Sequence, residues 1–180
     1  MGTHLSPPAL VPTPHPPPGR RRILGVDPGL NITGYGVIET DGLKIRIVEA
    51  GVVRSNPRNS LQSRINEIYS GVREVLDATN PDLMSLEQLF SHYSRPKTAI
   101  LMGHARGTIL LAAAQHALQV VHIEPTRVKK IMTGNGRASK SQMQLAVTSQ
   151  LQLPSVPEPP DVADALAIAI CATSVEEAFK

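Results

Sequence analysis

The residues best suited to chemistry in this chain are four carboxylates: Asp27, Glu87, Asp161 and Asp164. Asp27 and Glu87 each close a short apolar run, Ile23-Leu24-Gly25-Val26 and Leu83-Met84-Ser85-Leu86, which places them at the C-terminal ends of two expected strands. In open α/β sheets the ligand crevice opens at that edge, and two neighbouring strands would aim both carboxylates into it. Asp161 and Asp164 stand three residues apart at the start of an expected helix and share one of its faces. The residues after them, Ala165 to Ile170, are small or apolar, so this helix must pack against the domain body. Four acids gathered together repel one another unless a cation sits among them. Mg²⁺ and Mn²⁺ prefer carboxylate and water oxygens. Two such ions about 3.5–4 Å apart clamp the attacking and leaving oxygens of a phosphoryl displacement. The expected chemistry is therefore two-metal hydrolysis of a phosphodiester. Taken singly, each acid has a plainer reading: Asp27 a turn former, Asp161 an N-cap, Glu87 a paired surface charge.

The elements that must position these acids follow from periodicity. Arg21 to Val26 reads as a buried strand ending in the turn Asp27-Pro28-Gly29. Thr33 to Ile38 and Leu43 to Val53 read as two more strands, joined at the hairpin signal Asp41-Gly42. Ser60 to Ala78 repeats Leu61, Ile65, Ile68, Val72, Val75 and Leu76 at helical spacing, and Asn80-Pro81 ends it. A strand at Leu83–Leu86, a helix at Thr98–Leu118 and a strand at Val120–Ile123 come next. Helices at Thr126–Met132 and Lys140–Leu151 flank the loop Gly134-Asn135-Gly136, and a proline-rich loop precedes a last helix, Asp161–Thr173. Strand–helix–strand crossovers require the later strands to pair in parallel. The expected fold class is α/β: a mixed five-stranded sheet flanked by helices on both faces.

Seven of the sixteen prolines fall in residues 1–19, which hold no charged residue, so this tract is expected to be a disordered Pro-rich tail ahead of one domain. No apolar run reaches the roughly 20 residues that span a bilayer. The single cysteine, Cys171, excludes an internal disulfide and a Cys-based metal site, and a cytoplasmic location is the expectation. Net charge is only +3, but the 70 residues between Glu87 and Glu158 contain eight basic residues against one acid, Glu124. A one-signed field over part of a small domain suits a polyanion such as nucleic acid.

Within that basic segment Lys129, Arg137 and Lys140 surround the glycine loop, where they can neutralise phosphates or the charge on a scissile one. Gly134 to Ser141 is not a nucleotide-binding P-loop, because Ser139 stands where a glycine must precede Lys140 and no strand leads in. Phe90 and Tyr93, two of only five aromatics, follow Glu87 and could stack on an unpaired base. The six histidines show no zinc spacing. Gly103 and Gly107, four apart on the long helix, allow a close approach by the sheet or by a twofold partner.

Several motifs together resemble the RuvC-type Holliday-junction resolvases, the crossover junction endodeoxyribonucleases. They are Asp27-Pro28-Gly29 followed by Thr33-Gly34-Tyr35-Gly36-Val37-Ile38, Glu87-Gln88 with Phe90, Gly103-His104-Ala105-Arg106-Gly107, Lys140-Ser141-Gln142, and Asp161 through Ile170. The resemblance runs from about Ile23 to Ala172. It implies an RNase H-like nuclease domain over residues 20–180. It also implies a homodimer on four-way junction DNA that makes paired symmetric nicks, leaving 5′-phosphate and 3′-hydroxyl ends, in recombination and repair. On this resemblance Asp27, Glu87, Asp161 and Asp164 are catalytic metal ligands for Mg²⁺ or Mn²⁺, two per subunit. Some members carry His where this chain has Asp161. Phe90, Arg95, Lys129, Arg137 and Lys140 are expected to contact DNA. A junction-binding protein and a branch-migration motor, of RuvA and RuvB type, are the implied partners. The loop Ser91–Pro96 departs from the family pattern, so the preferred cut sequence is left open. Two other readings stay open at this stage: a nuclease acting on RNA or hybrid, and a junction binder without catalysis.

Overall fold

A computed structural model describes residues 10–89 and 96–176. Five strands and five helices follow one another as β1 (Arg21–Asp27), β2 (Ile32–Thr40), β3 (Ile45–Arg54), α1 (Leu61–Thr79), β4 (Leu83–Glu87), α2 (Pro96–Gln115), β5 (Val120–Ile123), α3 (Pro125–Thr133), α4 (Lys140–Gln150) and α5 (Pro160–Glu176). The sheet order is β3-β2-β1-β4-β5. The first three strands form the expected antiparallel meander, and β4 pairs in parallel with both β1 and β5. This is the mixed five-stranded sheet that the crossover argument requires, and β1 and β4 are neighbours.

Alternation along the strands divides the core in two. Ile23, Ile38, Leu83 and Ile123 face α3, α4 and α5. Leu24, Val26, Tyr35, Val37, Met84 and Leu86 face α1 and α2. Side chains two apart share a face, so Asp27 follows Ile23 and Gly25, and Glu87 follows Leu83 and Ser85, onto the α5 side.

Boundaries differ from the periodicity reading at the β2–β3 turn and at both ends of α2. The β2–β3 turn is longer than Asp41-Gly42: the Asp41 carboxylate accepts from the N–H groups of Leu43 and Lys44, and β3 starts only at Ile45. Leu43, 94% exposed, belongs to that turn. α2 starts earlier than Thr98 and stops before Leu118. Ala117 takes a positive φ of 51° and the Leu118 N–H returns to the Ala113 carbonyl, a C-terminal closure made without glycine.

Residues 10–19 carry neither helix nor strand, as a proline-rich tract must, yet they are tied down. Thr13 donates its N–H to the Ala78 carbonyl at 2.7 Å. Its hydroxyl and the Pro14 carbonyl accept from Arg22. Arg22 is 2% exposed and pairs with Glu39, 1% exposed, at 2.8 Å. Arg46 also donates to Glu39, at 2.6 Å. Burial alone would raise the Glu39 carboxyl, but the hydrogen bonds from Arg22 and Arg46 outweigh it and hold its pKa below the ordinary value. Glu39→Ala would leave a buried guanidinium without its counter-charge. The expected loss is about 3–5 kcal/mol of stability, read by urea unfolding. A loss below about 1 kcal/mol, the scale of a surface ion pair, would show that solvent reaches this network.

Candidate active site

The seat of α5 on the sheet decides where its two acids go. A Cβ on Gly25 would fall 2.2 Å from the Ala165 carbonyl oxygen, and one on Gly34 would fall 2.2 Å from that of Asp161. One on Gly36 would meet Leu166 at 2.8 Å. Only residues without a side chain let the helix backbone descend this far onto β1 and β2. Ala165 and Ala169, both fully buried, complete the contact from the helix side. The N-terminal turn of α5 is thereby held over the C-terminal end of β1.

Asp27, Glu87 and Asp164 line one cavity of about 240 Å³ together with Lys129 and Lys140. Its apolar wall is Pro125 and Val128 of α3, Met143 of α4 and Ile168 of α5. Burial, then the nearby charges of Glu87, Asp164 and Asp161, push the Asp27 carboxyl up to about 8, with Lys140 opposing. Burial and then Asp164 push Glu87 up to about 7, against a hydrogen bond from Asp27 and the charge of Lys129. Asp164 is raised mainly by burial, and Lys140 counters it. The Lys140 ammonium lies 3.4 Å from the Asp164 carboxylate. Lys140 opens α4 directly after a capping box in which Ser139 and Gln142 satisfy each other's N–H groups.

Not every expected site residue joins this cluster. Asp161 acts on Asp27 through its charge but does not line the cavity. Arg137 is exposed and outside it; its N–H is taken by the Asn135 side chain in the turn between α3 and α4. Gly134, with φ 74°, closes α3, so the glycine loop is a helix end rather than a phosphate cradle. Phe90 and Arg95, with His92 and Tyr93, lie outside the described residues. The apolar wall escaped the sequence reading, although Val128 and Met143 sit at helical spacing on the inner faces of α3 and α4.

The donor set fits a hard divalent cation. All the acids offer oxygen, Asp27, Glu87 and Asp164 are partly withdrawn from water, and Glu87, Asp164 and Asp161 raise the proton affinity of Asp27. Among the described residues no three Asp, Glu, His or Cys side chains are grouped so as to hold a metal ion. The oxygens converge on the cleft as electrostatic neighbours rather than as a closed shell. Near neutral pH the raised Asp27 and Glu87 carboxyls hold protons that an entering cation would displace.

The raised carboxyls also make folding stability depend on pH. A carboxyl whose pKa is higher in the folded chain binds a proton more tightly there, so its contribution is full below the ordinary carboxylate value and is lost as pH rises to about 8. In EDTA the melting temperature is expected to fall between pH 5 and pH 8. His116, raised by its hydrogen bond to Asp77, drifts in the same direction. Asp27→Asn isolates the carboxylate part: the variant should be more stable than wild type at pH 8 and should show the flatter profile. Parallel profiles for the two proteins would contradict the burial and repulsion assigned to Asp27.

The family model described as RuvC, crossover junction endodeoxyribonuclease, matches residues 23–172. A crossover junction endodeoxyribonuclease RuvC from Rhodopirellula baltica is 62% identical over 149 residues, covering 83% of this chain and 84% of that protein. Its counterpart from Desulforamulus reducens is 44% identical, covering 83% of this chain and 91% of that protein. Among solved structures, T. thermophilus RuvC in complex with Holliday junction substrate aligns with a TM-score of 0.81 at 32% identity, covering 88% of this chain and 96% of that one.

Proposed function

This chain belongs to the RuvC family of crossover junction endodeoxyribonucleases, and from that membership we propose that its carboxylate cleft cuts four-way DNA junctions. The fold is RNase H-like, and the activity is that of an endodeoxyribonuclease that resolves Holliday junctions in recombination and repair. The observation that carries the reading is the meeting of Asp27, Glu87 and Asp164 from β1, β4 and α5 in one cleft flanked by two lysines.

In this reading residues 20–180 act as one nuclease domain. Asp27, Glu87 and Asp164, with Asp161 at the margin, would hold Mg²⁺ or Mn²⁺, two ions per subunit. Such ions, when bound, supply activation of a water and stabilisation of the leaving oxygen, with 5′-phosphate and 3′-hydroxyl products. The chain's own residues do the rest. The buried floor of β1 and β4 keeps the carboxylates in place, and Pro125, Val128, Met143 and Ile168 exclude bulk water from one side. Lys129 and Lys140 set positive charge where the scissile phosphate must enter. Arg137, exposed beyond them, suits a flanking phosphate, and Phe90 and Arg95 serve the junction centre.

Pairing of the two nicks requires two subunits. Ile100, Gly103, Gly107 and Leu111 fall on one face of α2; Ile100 is 62% exposed and Leu111 53%. Nothing lies within 4 Å of a Cβ built on either glycine. That face suits a second copy in a twofold dimer. A junction-binding protein and a motor of RuvA and RuvB type would deliver the substrate, in the cytoplasm; no described helix is long and apolar enough to cross a membrane.

The test is substrate choice. A four-way junction, the matching plain duplex and an RNA–DNA hybrid of the same sequence are offered in Mg²⁺ and in Mn²⁺. Symmetric paired nicks confined to the junction are expected. Preferential cutting of the hybrid would replace the junction reading with that of a ribonuclease.

A further inference from the structure

Arg106 belongs to the basic segment that the charge pattern assigns to nucleic acid, but its guanidinium turns inward. From α2, on the sheet face opposite α5, its Nε donates to the main-chain carbonyl of Glu87 at 3.1 Å. Its Nη2 lies 2.7 Å from His122 Nδ1 on β5. Arginine only donates, so the imidazole accepts at Nδ1. One planar group thus joins the end of β4 to β5 from behind the carboxylates.

The need for that donor follows from the strand register. Gln88 donates its N–H to the Ile123 carbonyl on β5 at 2.9 Å. In a trans peptide the Glu87 carbonyl points the opposite way, toward β1. The β1–β4 register runs to Val26↔Leu86. Continued by one rung, the donor to the Glu87 carbonyl is the N–H of residue 28, and residue 28 is Pro28. The sheet loses a rung immediately beneath one of its acids. Arg106 supplies the missing donor.

We infer that Arg106 is a positioning residue for Glu87: by holding the Glu87 carbonyl and bracing on His122, it fixes where the Glu87 carboxylate meets the divalent cation. The inference rests on the metal-binding role proposed for Glu87. The plainer reading of a basic residue here is a contact to DNA phosphate, and the two roles separate by experiment. Residues that orient a metal ligand typically change metal affinity or activity about 10–100-fold. A phosphate contact instead lowers DNA affinity and the salt slope and leaves metal affinity alone.

Mn²⁺ affinity is measured by calorimetry on the DNA-free protein, and junction affinity in EDTA across salt. Arg106→Ala, Arg106→Lys and His122→Ala are compared with wild type, with Glu87→Gln as reference. Arg106→Lys keeps the charge but not the planar fork that spans two acceptors. Both Arg106 variants are expected to weaken Mn²⁺ binding about 10-fold or more, His122→Ala by less, and all should leave junction affinity and its salt slope unchanged. Mn²⁺ affinity unchanged in the Arg106 variants, or a loss confined to junction binding, overturns the inference. Should the Arg106 variants fail to fold, unchanged Mn²⁺ binding in His122→Ala overturns it. If Glu87→Gln itself leaves Mn²⁺ binding unchanged, the metal role of Glu87 fails instead, which is a separate result.

Discussion

Asp27→Asn is expected to lower the single-turnover rate of junction cleavage about 1000-fold at saturating Mn²⁺, with junction affinity in EDTA unchanged or slightly tighter. The size follows from what bound ions do: they supply several kcal/mol of charge stabilisation, and about 1.4 kcal/mol is a factor of ten in rate. The direction on binding follows from the charge map. Asp27 sits in a cluster of acids at the point where DNA phosphate must come, so a neutral amide there removes no attraction for a polyanion and, where the carboxyl is ionised, removes a repulsion. Asp164→Asn should behave alike, because Asp164 lines the same cleft. Asp161→Asn should cost far less, because Asp161 reaches Asp27 only as a neighbouring charge. A rate for Asp27→Asn within about tenfold of wild type would remove Asp27 from the metal site. Equal losses for Asp161→Asn and Asp27→Asn would show that α5 closes further on the metal than its seat here implies.

Gly25→Ala should be the most damaging substitution of a single methyl group. The added carbon would fall 2.2 Å from the Ala165 carbonyl oxygen and 2.4 Å from the Ala169 nitrogen. Both are backbone atoms of a helix and cannot turn aside. Overpacking a core typically costs 1–3 kcal/mol, and a rigid backbone neighbour places this case at about 3 kcal/mol or beyond. The functional loss should exceed what stability alone explains. Lifting α5 off β1 carries Asp164 away from Asp27, and contributions from catalytic groups are sensitive to displacements of about 1 Å. Junction cleavage at a temperature where the variant is still folded is therefore expected to fall at least about tenfold. A variant that melts within a few degrees of wild type and cuts normally would mean that α5 does not need its close seat.

Most of the element plan was legible from local pattern. Strand alternation and helical spacing depend on a chain segment's own two faces, and residues such as Asn80-Pro81 and Asp41-Gly42 mark the breaks. Boundaries slipped where a side chain or a non-glycine turn did the closing: Asp41 widened the hairpin, and Ala117 ended α2 early. One of the eight cations that the charge pattern assigned to one positive field, Arg106, is spent elsewhere, on a main-chain carbonyl. Local charge counts record how many charges a segment has, not which way each side chain turns.

The four carboxylates were identifiable by type and position because acids at strand ends and on a buried helix are conspicuous against apolar neighbours. Sequence alone thus determined the candidate ligands, the mixed sheet and, through the shared motifs, the family. Tertiary structure decided how the ligands meet. Strand order put β1 beside β4, and the register took away a rung at Pro28. The glycines of β1 and β2 let α5 sit down on the sheet with Asp164 in the cleft and Asp161 at its margin. The physical reason is that these are non-local contacts. A glycine carries no side chain for periodicity to register, and a missing donor shows only when the strand beside it is known.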